Sequence, residues 1–298
     1  MTAEDALAAY EAARPRLPRA APGGPARKAA HLGEIAEGFD AFLLDAFGVL
    51  NIGETAIPGV ADRIATLRGG GRPVMVLTNA ASVPAEALVA KYARLGYDFG
   101  PAEVVSSRMV LLDAVRAAPA RHWGVMAQPD LQGEDLSGLD LTYLGDGPAG
   151  YDEAEAFLFL GSGSWTEARQ DRLETALRRR PRPVWVGNPD LVAPRADGFS
   201  VEPGFYAHRL AAIPGVALQF FGKPFPGIFE QALDRIPSSI PRGRVLMVGD
   251  SLHTDVLGAQ SAGVRSALVT GYGFSAGIAL KDAIAATGIA PDYMVERP

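Results

Sequence analysis

Two aspartates that follow apolar runs are the residues in this sequence best placed to carry out chemistry. Asp45 comes directly after Ala41–Leu44, and Asp250 follows Val245–Val248 and a glycine. In an open parallel sheet, ligands bind beyond the carboxyl ends of the strands, where these two carboxylates would meet. At a separation of about 4 Å they would repel by roughly 4 kcal/mol at an effective dielectric near 20, so one is protonated or a cation lies between them. Hard oxygen ligands favour Mg²⁺ as that cation.

Polar side chains also follow two other apolar runs. Thr78 and Asn79 end the run in VMVLTNAAS, Lys223 lies between a glycine and a proline in FFGKPFPGIF, and Asp255 lies in the helix predicted after Asp250. Singly, each residue is typical of a cap, a turn or a solvated surface. Hydroxyl, amide and ammonium donors gathered around a metal suit the peripheral oxygens of a phosphate. Four polar strand ends in this order indicate a functional site.

The strands that would position these residues are short, mainly apolar runs, and several lack polar alternation. That pattern is typical of parallel strands covered by helices on both faces. Helical patterns lie between the runs; one begins at Pro84, places Leu88, Tyr92 and Leu95 on one face, and ends at Gly96. The sequence therefore predicts an α/β fold. The predicted strands cover residues 41–44, 73–77, 123–127, 156–160, 184–186, 216–221, 245–248 and 267–269.

Composition limits the classes of function open to the chain. Its 298 residues are 48% apolar and 21% charged, enough for one large or two modest domains with real cores. The 28 basic and 34 acidic residues give a net charge of −6, which argues against a nucleic-acid partner. Cysteine is absent, so disulfides and thiolate catalysis are excluded. No apolar run approaches the roughly 18 residues of a membrane span, and the first residues lack a secretory signal pattern, so we expect a cytoplasmic protein without a membrane partner.

The segments LLDAFGVL, VLTNAAS, GKPFPGIF and VGDSLHTDVLGA, in this order, resemble the four signature segments of the haloacid dehalogenase superfamily of hydrolases. Their spacing is most similar to that of the NagD-like subgroup, and VGNPDLVAPRADG resembles a further stretch of that subgroup. The resemblance implies a Rossmann-like, doubly wound parallel sheet core with an inserted α/β cap domain. The core would comprise residues 31–83 and 216–298, and the cap residues 84–215. Residues 1–30 would form an N-terminal helix and a loose arm.

The resemblance also implies a role for each candidate residue. Asp45 would be a nucleophile that forms a covalent aspartyl intermediate, and Asp255 would orient Lys223 or metal-bound water. The implied catalytic residues are Asp45, Thr78, Lys223 and Asp255. The implied Mg²⁺ ligands are Asp45, Asp250 and the main-chain carbonyl of Phe47. The residues expected to contact the substrate are Thr78, Asn79, Lys223 and Asp190.

Phe47 departs from the family pattern. Phosphatases of this superfamily carry a second aspartate two residues after the nucleophile, which protonates the leaving group and later activates water. A benzyl side chain can do neither, and general acid–base help is worth about 10²- to 10⁴-fold in rate. His253, in the turn after Asp250, and Asp190, in the predicted cap, are candidates to replace the missing acid.

Three functions remain open from the sequence. The first is a Mg²⁺-dependent phosphohydrolase that acts on a small phosphorylated metabolite as its partner. The second is a carbon–halogen hydrolase, because an aromatic residue after Asp-Ala resembles the dehalogenases and halide leaves without a proton; the acid at Asp250 and the NagD-like cap argue against it. The third is a non-catalytic or regulatory protein that binds a phosphate ligand, for which Phe47 is the main support. Caps of this subgroup often pair, so we also expect a homodimer.

Overall fold

Two separate parallel sheets form the framework of the chain. The computed structural model describes residues 2–21, 23–131, 133–195 and 198–298. The strands are β1 (Arg27–His31), β2 (Ala41–Leu44), β3 (Asn51–Ile52), β4 (Thr55–Ala56), β5 (Val74–Thr78), β6 (Val104–Ser106), β7 (Trp123–Met126), β8 (Leu141–Tyr143), β9 (Ala156–Phe159), β10 (Val184–Val186), β11 (Val192–Arg195), β12 (Gly198–Val201), β13 (Leu218–Phe220), β14 (Val245–Gly249), β15 (Arg265–Val269) and β16 (Tyr293–Arg297).

The helices lie mainly between consecutive strands, as expected of crossover connections in parallel sheets. The helices are α1 (Ala3–Ala13), α2 (Val60–Gly69), α3 (Ala85–Arg94), α4 (Ser107–Ala117), α5 (Glu167–Arg179), α6 (Pro203–Leu210), α7 (Pro226–Leu233), α8 (Leu257–Ala262) and α9 (Leu280–Thr287). None of the helices within the described ranges is long and apolar enough to cross a membrane.

The larger sheet has seven parallel strands in the order β1-β16-β15-β14-β2-β5-β6. Strands β2, β5 and β14 are buried along their whole length, which explains their unbroken apolar sequences. From β2 the chain builds outward through β5 and β6, and later through β14, β15 and β16 in the opposite direction. The strand order therefore reverses between β2 and β14, the point where doubly wound sheets bind ligands. The predicted α/β class with a doubly wound parallel sheet is confirmed.

The smaller sheet has five parallel strands in the order β13-β10-β9-β7-β8, and the hairpin β11–β12 follows β10. The limits of the cap, predicted as residues 84–215, stay a prediction. The pairing of two strands favours limits that lie further along the chain. β6 lies inside the predicted cap but pairs with β5 in the larger sheet. β13 lies inside the predicted core but pairs with β10 in the smaller sheet. We propose that the cap runs from the end of α4 to the end of β13.

Helix α1 of the N-terminal segment packs against both the core and the cap. Helix α1 begins with a capping box, in which Thr2 and Asp5 satisfy each other's backbone N–H groups. Tyr10 and Leu17 are buried in one apolar cluster with cap residue Leu191 and core residue Leu252. Arg27–His31 then pairs with β16 as an edge strand. The predicted N-terminal helix corresponds to α1. The predicted arm is held at Leu17 and at Arg27–His31, but residues 18–21 and 23–26 have no regular secondary structure, so the loose arm stays a prediction for them.

Candidate active site

Asp45 and Asp250 meet at the carboxyl edge of the larger sheet, as predicted. Leu44 pairs with Val248 in register, and the Asp45 N–H donates to the Val248 carbonyl at 2.8 Å, so the two strands end together. Asp255 joins them from the turn that opens the helix after β14. One carboxylate oxygen from each of the three aspartates lies within 4.8 Å of the others. The structure thus forms a compact acidic cluster from residues far apart in the sequence.

Lys223 lies between two of these carboxylates. Its Nζ is 2.6 Å from Asp45 Oδ1 and 2.7 Å from Asp255 Oδ1, and its side chain is only 2% exposed. Asp255 Oδ2 accepts hydrogen bonds from the backbone N–H groups of Asp250 and Ser251, both at 3.1 Å. Asp255 therefore fixes the Asp250 turn with one oxygen and orients Lys223 with the other. Asp255 is thus an acid in the turn that opens the helix, and it is also the partner of Lys223 expected from the resemblance.

The loop after β15 encloses Asp250, and no sequence argument identified it. Phe274 N–H donates to Asp250 Oδ2 at 2.7 Å, and Ser275 Oγ donates to the Asp250 carbonyl at 2.5 Å. Gly48 and Gly273 have φ values of 78° and 68°, and a Cβ on either would lie within 2.4 Å of Asp250 Oδ2. Only glycine fits such close backbone approach at positive φ. Gly273 and Ser275, in TGYGFS after a predicted strand, could have indicated a loop that approaches the site.

Thr78 and Asn79 follow β5 and have different surroundings. Thr78 Oγ1 accepts from the Ala80 N–H at 3.3 Å and lines the cavity described below. Asn79 Oδ1 accepts from the Lys223 N–H at 2.7 Å, while Asn79 Nδ2 donates to the Lys223 carbonyl at 2.9 Å and to Asp190 Oδ1 at 2.8 Å. Both polar atoms of this amide are already bonded. We therefore expect Asn79 to position Lys223 and Asp190, in place of the substrate contact predicted from the sequence.

A cavity of about 690 Å³ lies above these residues, between the two sheets, a size suited to a small ligand. Its floor comes from the core and its roof from the cap and the hairpin β11–β12. The floor includes Asp45, Phe47, Thr78, Lys223 and Asp250. The roof includes Ser162, Asp190, Val192, Pro194, Ser200 and Glu202, and Tyr10 of α1 lies on the wall. The structure thus brings the residues predicted as catalytic, metal-binding or substrate-binding to one cavity or, for Asp255, to the cluster beneath it.

Comparisons with known proteins agree with this geometry. A family profile described as haloacid dehalogenase-like hydrolase matches residues 42–137, and a related profile for hydrolases of the same kind matches residues 220–297. The chain belongs to the haloacid dehalogenase superfamily. The two matched segments of this hydrolase contain all of Asp45, Thr78, Lys223 and Asp250. The resemblance seen in the sequence is therefore confirmed.

Relatives of this haloacid dehalogenase-superfamily hydrolase extend over most of its length. Human glycerol-3-phosphate phosphatase is 28% identical over 292 residues, which cover 86% of this chain and 88% of that protein. A possible sugar phosphatase from Cytophaga hutchinsonii superposes with a TM-score of 0.78 at 25% identity, covering 92% of this chain and 98% of that one. NagD from Escherichia coli K-12 superposes with a TM-score of 0.66 at 23% identity, covering 87% and 96%. These neighbours support the NagD-like subgroup and the Rossmann-like core with a cap.

Charge at the floor of this hydrolase fits a divalent cation. Burial raises the pKa of Asp45 to about 7, and Asp255 adds to the rise. Burial is the main cause that raises the pKa of Asp250, and the charges of Asp45 and Asp255 add to the rise. Burial works against the charge of Lys223, but Asp255 and Asp45 outweigh it and raise its pKa. Three carboxylates and one ammonium would leave two buried negative charges, which a divalent ion on Asp45 and Asp250 would offset.

His253 does not reach the cavity of this hydrolase. Its side chain is fully buried, its Nε2 lies 2.6 Å from Glu11 Oε1, and its ring stacks on Tyr10 with centroids 5.0 Å apart. His253 therefore connects α1 to the Asp250 turn and is not placed to protonate a leaving group. Phe47, by contrast, lines the cavity floor beside Asp45.

Proposed function

We propose that this chain is a Mg²⁺-dependent phosphohydrolase that cleaves a small phosphate monoester through an aspartyl-phosphate intermediate on Asp45. The observation that carries the proposal is the buried Lys223 ammonium, which contacts Asp45 and Asp255 beside Asp250 at the floor of the cavity. A phosphate dianion repels an incoming carboxylate unless positive charge is gathered around it. Lys223 supplies one positive charge next to the attacking oxygen, and a divalent ion on Asp45 and Asp250 would supply the rest.

Each floor residue has a defined part in the proposed reaction. Asp45 Oδ attacks phosphorus, while Lys223 and Thr78 hold the peripheral phosphoryl oxygens. Water then attacks the phosphorus of the acyl phosphate, releases phosphate and restores Asp45, so hydrolysis is divided into two displacements. Mg²⁺ bound by Asp45, Asp250 and the Phe47 carbonyl would neutralise charge on the phosphoryl group. Asp255 keeps Lys223 in place throughout.

The substrate class follows from the cavity and from the relatives. The volume of about 690 Å³ suits a small metabolite. Relatives named glycerol-3-phosphate phosphatase and acid sugar phosphatase support phosphorylated polyols and sugars as the first compounds to test. The cytoplasmic location, the homodimer, and the absence of nucleic-acid and membrane partners stay predictions.

Phe47 favours a second candidate, a protein that binds a phosphate ligand without turnover. The aromatic ring leaves the charged site intact and removes only the acid that the superfamily uses. The carbon–halogen reading gains no support, because the carboxylate of Asp250 lies in the cluster with Asp45 and the named relatives are phosphatases.

One assay separates these candidates. Purified protein is incubated with a panel of phosphate esters and a haloacid, with and without Mg²⁺, and released phosphate and halide are measured. Metal-dependent phosphate release supports the phosphohydrolase. Tight binding of an ester with neither product supports the binding protein, and halide release supports the carbon–halogen hydrolase.

The variant Phe47→Asp sharpens the assay. If Phe47 is only a missing acid, the variant raises phosphatase turnover, by up to the 10²- to 10⁴-fold that acid–base help contributes. A fall in turnover, with the fold unchanged by circular dichroism, would mean that the ring has its own part in the chemistry. Phe42→Leu, a change in the buried strand before the site, controls for loss of an aromatic ring alone.

A further inference from the structure

Asp190 is the cap residue most firmly attached to the catalytic floor. It follows β10, and its backbone is held at both ends: its N–H donates to Asn188 Oδ1 at 2.9 Å, and its carbonyl accepts from the Gly204 N–H at 3.0 Å. A Cβ on Gly204 would lie 2.1 Å from the Pro189 carbonyl oxygen, so only glycine allows this loop to close on α6. The Asp190 side chain therefore projects from a rigid support.

The carboxylate of Asp190 is tied to the core through a single oxygen. Its Oδ1 accepts from Asn79 Nδ2, and Asn79 is in turn held by the backbone N–H and carbonyl of Lys223. A Cβ on Gly222 would lie 2.5 Å from Asn79 Oδ1 and 2.6 Å from Pro189 Cδ, so this glycine lets the cap loop reach the core. No cation forms an ion pair with Asp190 in the part of the chain that the structure describes. Asp190 lines the cavity, and within the described ranges its other carboxylate oxygen accepts no hydrogen bond.

The surroundings of Asp190 favour a protonated carboxyl near neutral pH. Burial raises the pKa of Asp190 to about 7, although the Asn79 hydrogen bond and the charge of Lys223 act in the opposite direction. Asp45 and Glu202 face it and repel its negative charge. Tyr10, the remaining titratable group beside it, is neutral because burial raises its own pKa well above the usual value.

Other carboxylates on the cavity wall are less suited to give up a proton. Glu202 accepts a hydrogen bond from Ser200 Oγ at 2.6 Å on one oxygen and from Asn188 Nδ2 at 3.2 Å on the other, so both of its oxygens already have partners. Glu54 is paired with Lys91 at 3.0 Å and its side chain is 78% exposed. Compared with Glu202 and Glu54, Asp190 combines a fixed position with an oxygen that has no partner among the described residues.

We propose that Asp190 protonates the leaving oxygen and later deprotonates the attacking water, in place of the carboxylate that is absent at position 47. In the first step Asp45 Oδ bonds to phosphorus, the bond from phosphorus to the ester oxygen breaks, and the Asp190 proton moves to that oxygen to give the free alcohol. In the second step water bonds to phosphorus, its proton returns to Asp190, and the bond from phosphorus to Asp45 breaks to release phosphate. This inference rests on the proposed phosphohydrolase function.

The test compares Asp190→Asn on two esters with different needs for a proton. Glycerol phosphate has an alkoxide leaving group that requires an acid, whereas 4-nitrophenyl phosphate has a stable leaving group that does not. We expect kcat/KM for glycerol phosphate to fall by about 10²- to 10⁴-fold, and that for the nitrophenyl ester to fall by less than about tenfold. A burst of nitrophenolate should also appear, because the second step loses its base.

The pH profile gives a second readout that a purely structural role would not change. For glycerol phosphate, kcat/KM of the unmodified protein should fall as the pH rises through about 7, because the acid must carry its proton. Asp190→Asn should lose this alkaline limb, and Asp190→Glu should regain part of the lost activity. Asp171→Asn, an exposed acid on cap helix α5, is the matched control and should leave both esters unchanged.

The outcomes separate this inference from the proposed function. If the unmodified protein is active but Asp190→Asn lowers kcat/KM by the same factor for both esters, the role of Asp190 alone is overturned. The same holds if Asp190→Asn lowers kcat/KM for neither ester. An unmodified protein that is inert toward both esters overturns the phosphohydrolase and this inference together. Thermal melting of each variant shows whether a loss comes from unfolding, and Asp190→Glu, which keeps the carboxyl, serves as the folded reference.

Discussion

The floor and the roof of the cavity are held by different kinds of contact. At the floor, Lys223, Asp45, Asp250 and Asp255 are linked by short ionic and backbone hydrogen bonds at the ends of buried central strands. At the roof, the hairpin β11–β12 contributes mostly half-buried side chains. The comparison indicates a floor fixed by buried charged groups and a roof whose side chains are less constrained.

The difference has an energetic cause. Buried charges are costly unless each has a partner in good geometry, so the floor tolerates few substitutions. Half-buried polar side chains at the roof keep access to water and change position at little cost. Asp190 is the exception at the roof, because its loop and Asn79 fix it to the floor.

The largest loss of activity is expected from a substitution at Asp45, on the floor of the cavity. Asp45→Asn removes the nucleophile but keeps the shape of the floor, so we expect kcat for phosphate release to fall by about 10⁴-fold or more. Phosphate release and labelling of the protein by a phosphate ester are the measurements. Asp62→Asn, an exposed acid on α2, is the control. A variant that retains a tenth of the activity would show that Asp45 is not the nucleophile that attacks phosphorus.

The next effect is on stability at the floor. Lys223→Met leaves Asp45 and Asp255 without their ammonium partner, and we expect the free energy of unfolding to fall by about 3–5 kcal/mol. Added Mg²⁺ should restore part of it, since a bound cation offsets the same charge. Urea denaturation with and without Mg²⁺ measures both effects, with Lys281→Met on α9 as the control. A loss no greater than that of the control would show that the acids are not held as charged groups.

A smaller effect is expected where the N-terminal segment meets cap helix α6, because Arg16 Nε donates to His208 Nδ1 at 2.9 Å. Burial, helped by Arg16, lowers the pKa of His208 from 6.5 to about 4. The unfolded chain therefore binds more protons between these values, so this contribution is complete above pH 6.5 and is lost as the pH falls through 4. It amounts to at most about 3 kcal/mol.

Denaturation at several pH values measures this contribution. His208→Gln should flatten the slope of stability between pH 6.5 and 4, and His31→Gln should not. Some slope should remain in His208→Gln, because burial also lowers the pKa of His253. An unchanged slope would mean that His208 is accessible to protons in the folded protein.

The smallest effect concerns the contact between α1 and the cap. Tyr10 Oη accepts from the Leu191 N–H at 3.3 Å and lies on the cavity wall. Tyr10→Phe keeps the ring and leaves that N–H without its partner, at a cost of about 1 kcal/mol. We expect KM to rise by a few-fold with kcat within about twofold. Tyr143→Phe on β8 is the control, and a large loss of kcat would place Tyr10 in the chemistry itself.

Sequence patterns predicted the floor better than the walls. Strands β2 and β10 have the predicted bounds, because their sequences are apolar runs followed by a change in polarity. The acids and Lys223 were found because strand ends in a parallel sheet converge. Strand β1, RKAAH, was missed because it is an exposed edge strand held by pairing with β16 and not by apolar burial.

The contacts of the walls could not be predicted because they join distant segments without a repeating pattern. Tyr10 stacks on His253, and Asn79 bonds to Asp190, through side chains whose spacing in the sequence carries no signal. Asp190 was named as a candidate, but its attachment to the floor depends on the space left by Gly222. Such close approach is visible only once the loops are placed in three dimensions.

The pairing of β2 with β14 also bears on how the chain is made. Ala41 lies opposite Val245 in that pair, whereas the strands of the smaller sheet come from the continuous stretch Trp123–Phe220. On a ribosome, the smaller sheet can therefore assemble while β2 is paired only with β5 and still lacks β14. Nascent chains should accordingly gain a protease-resistant cap before the core, with Asp45 joined to Asp250 and Asp255 last.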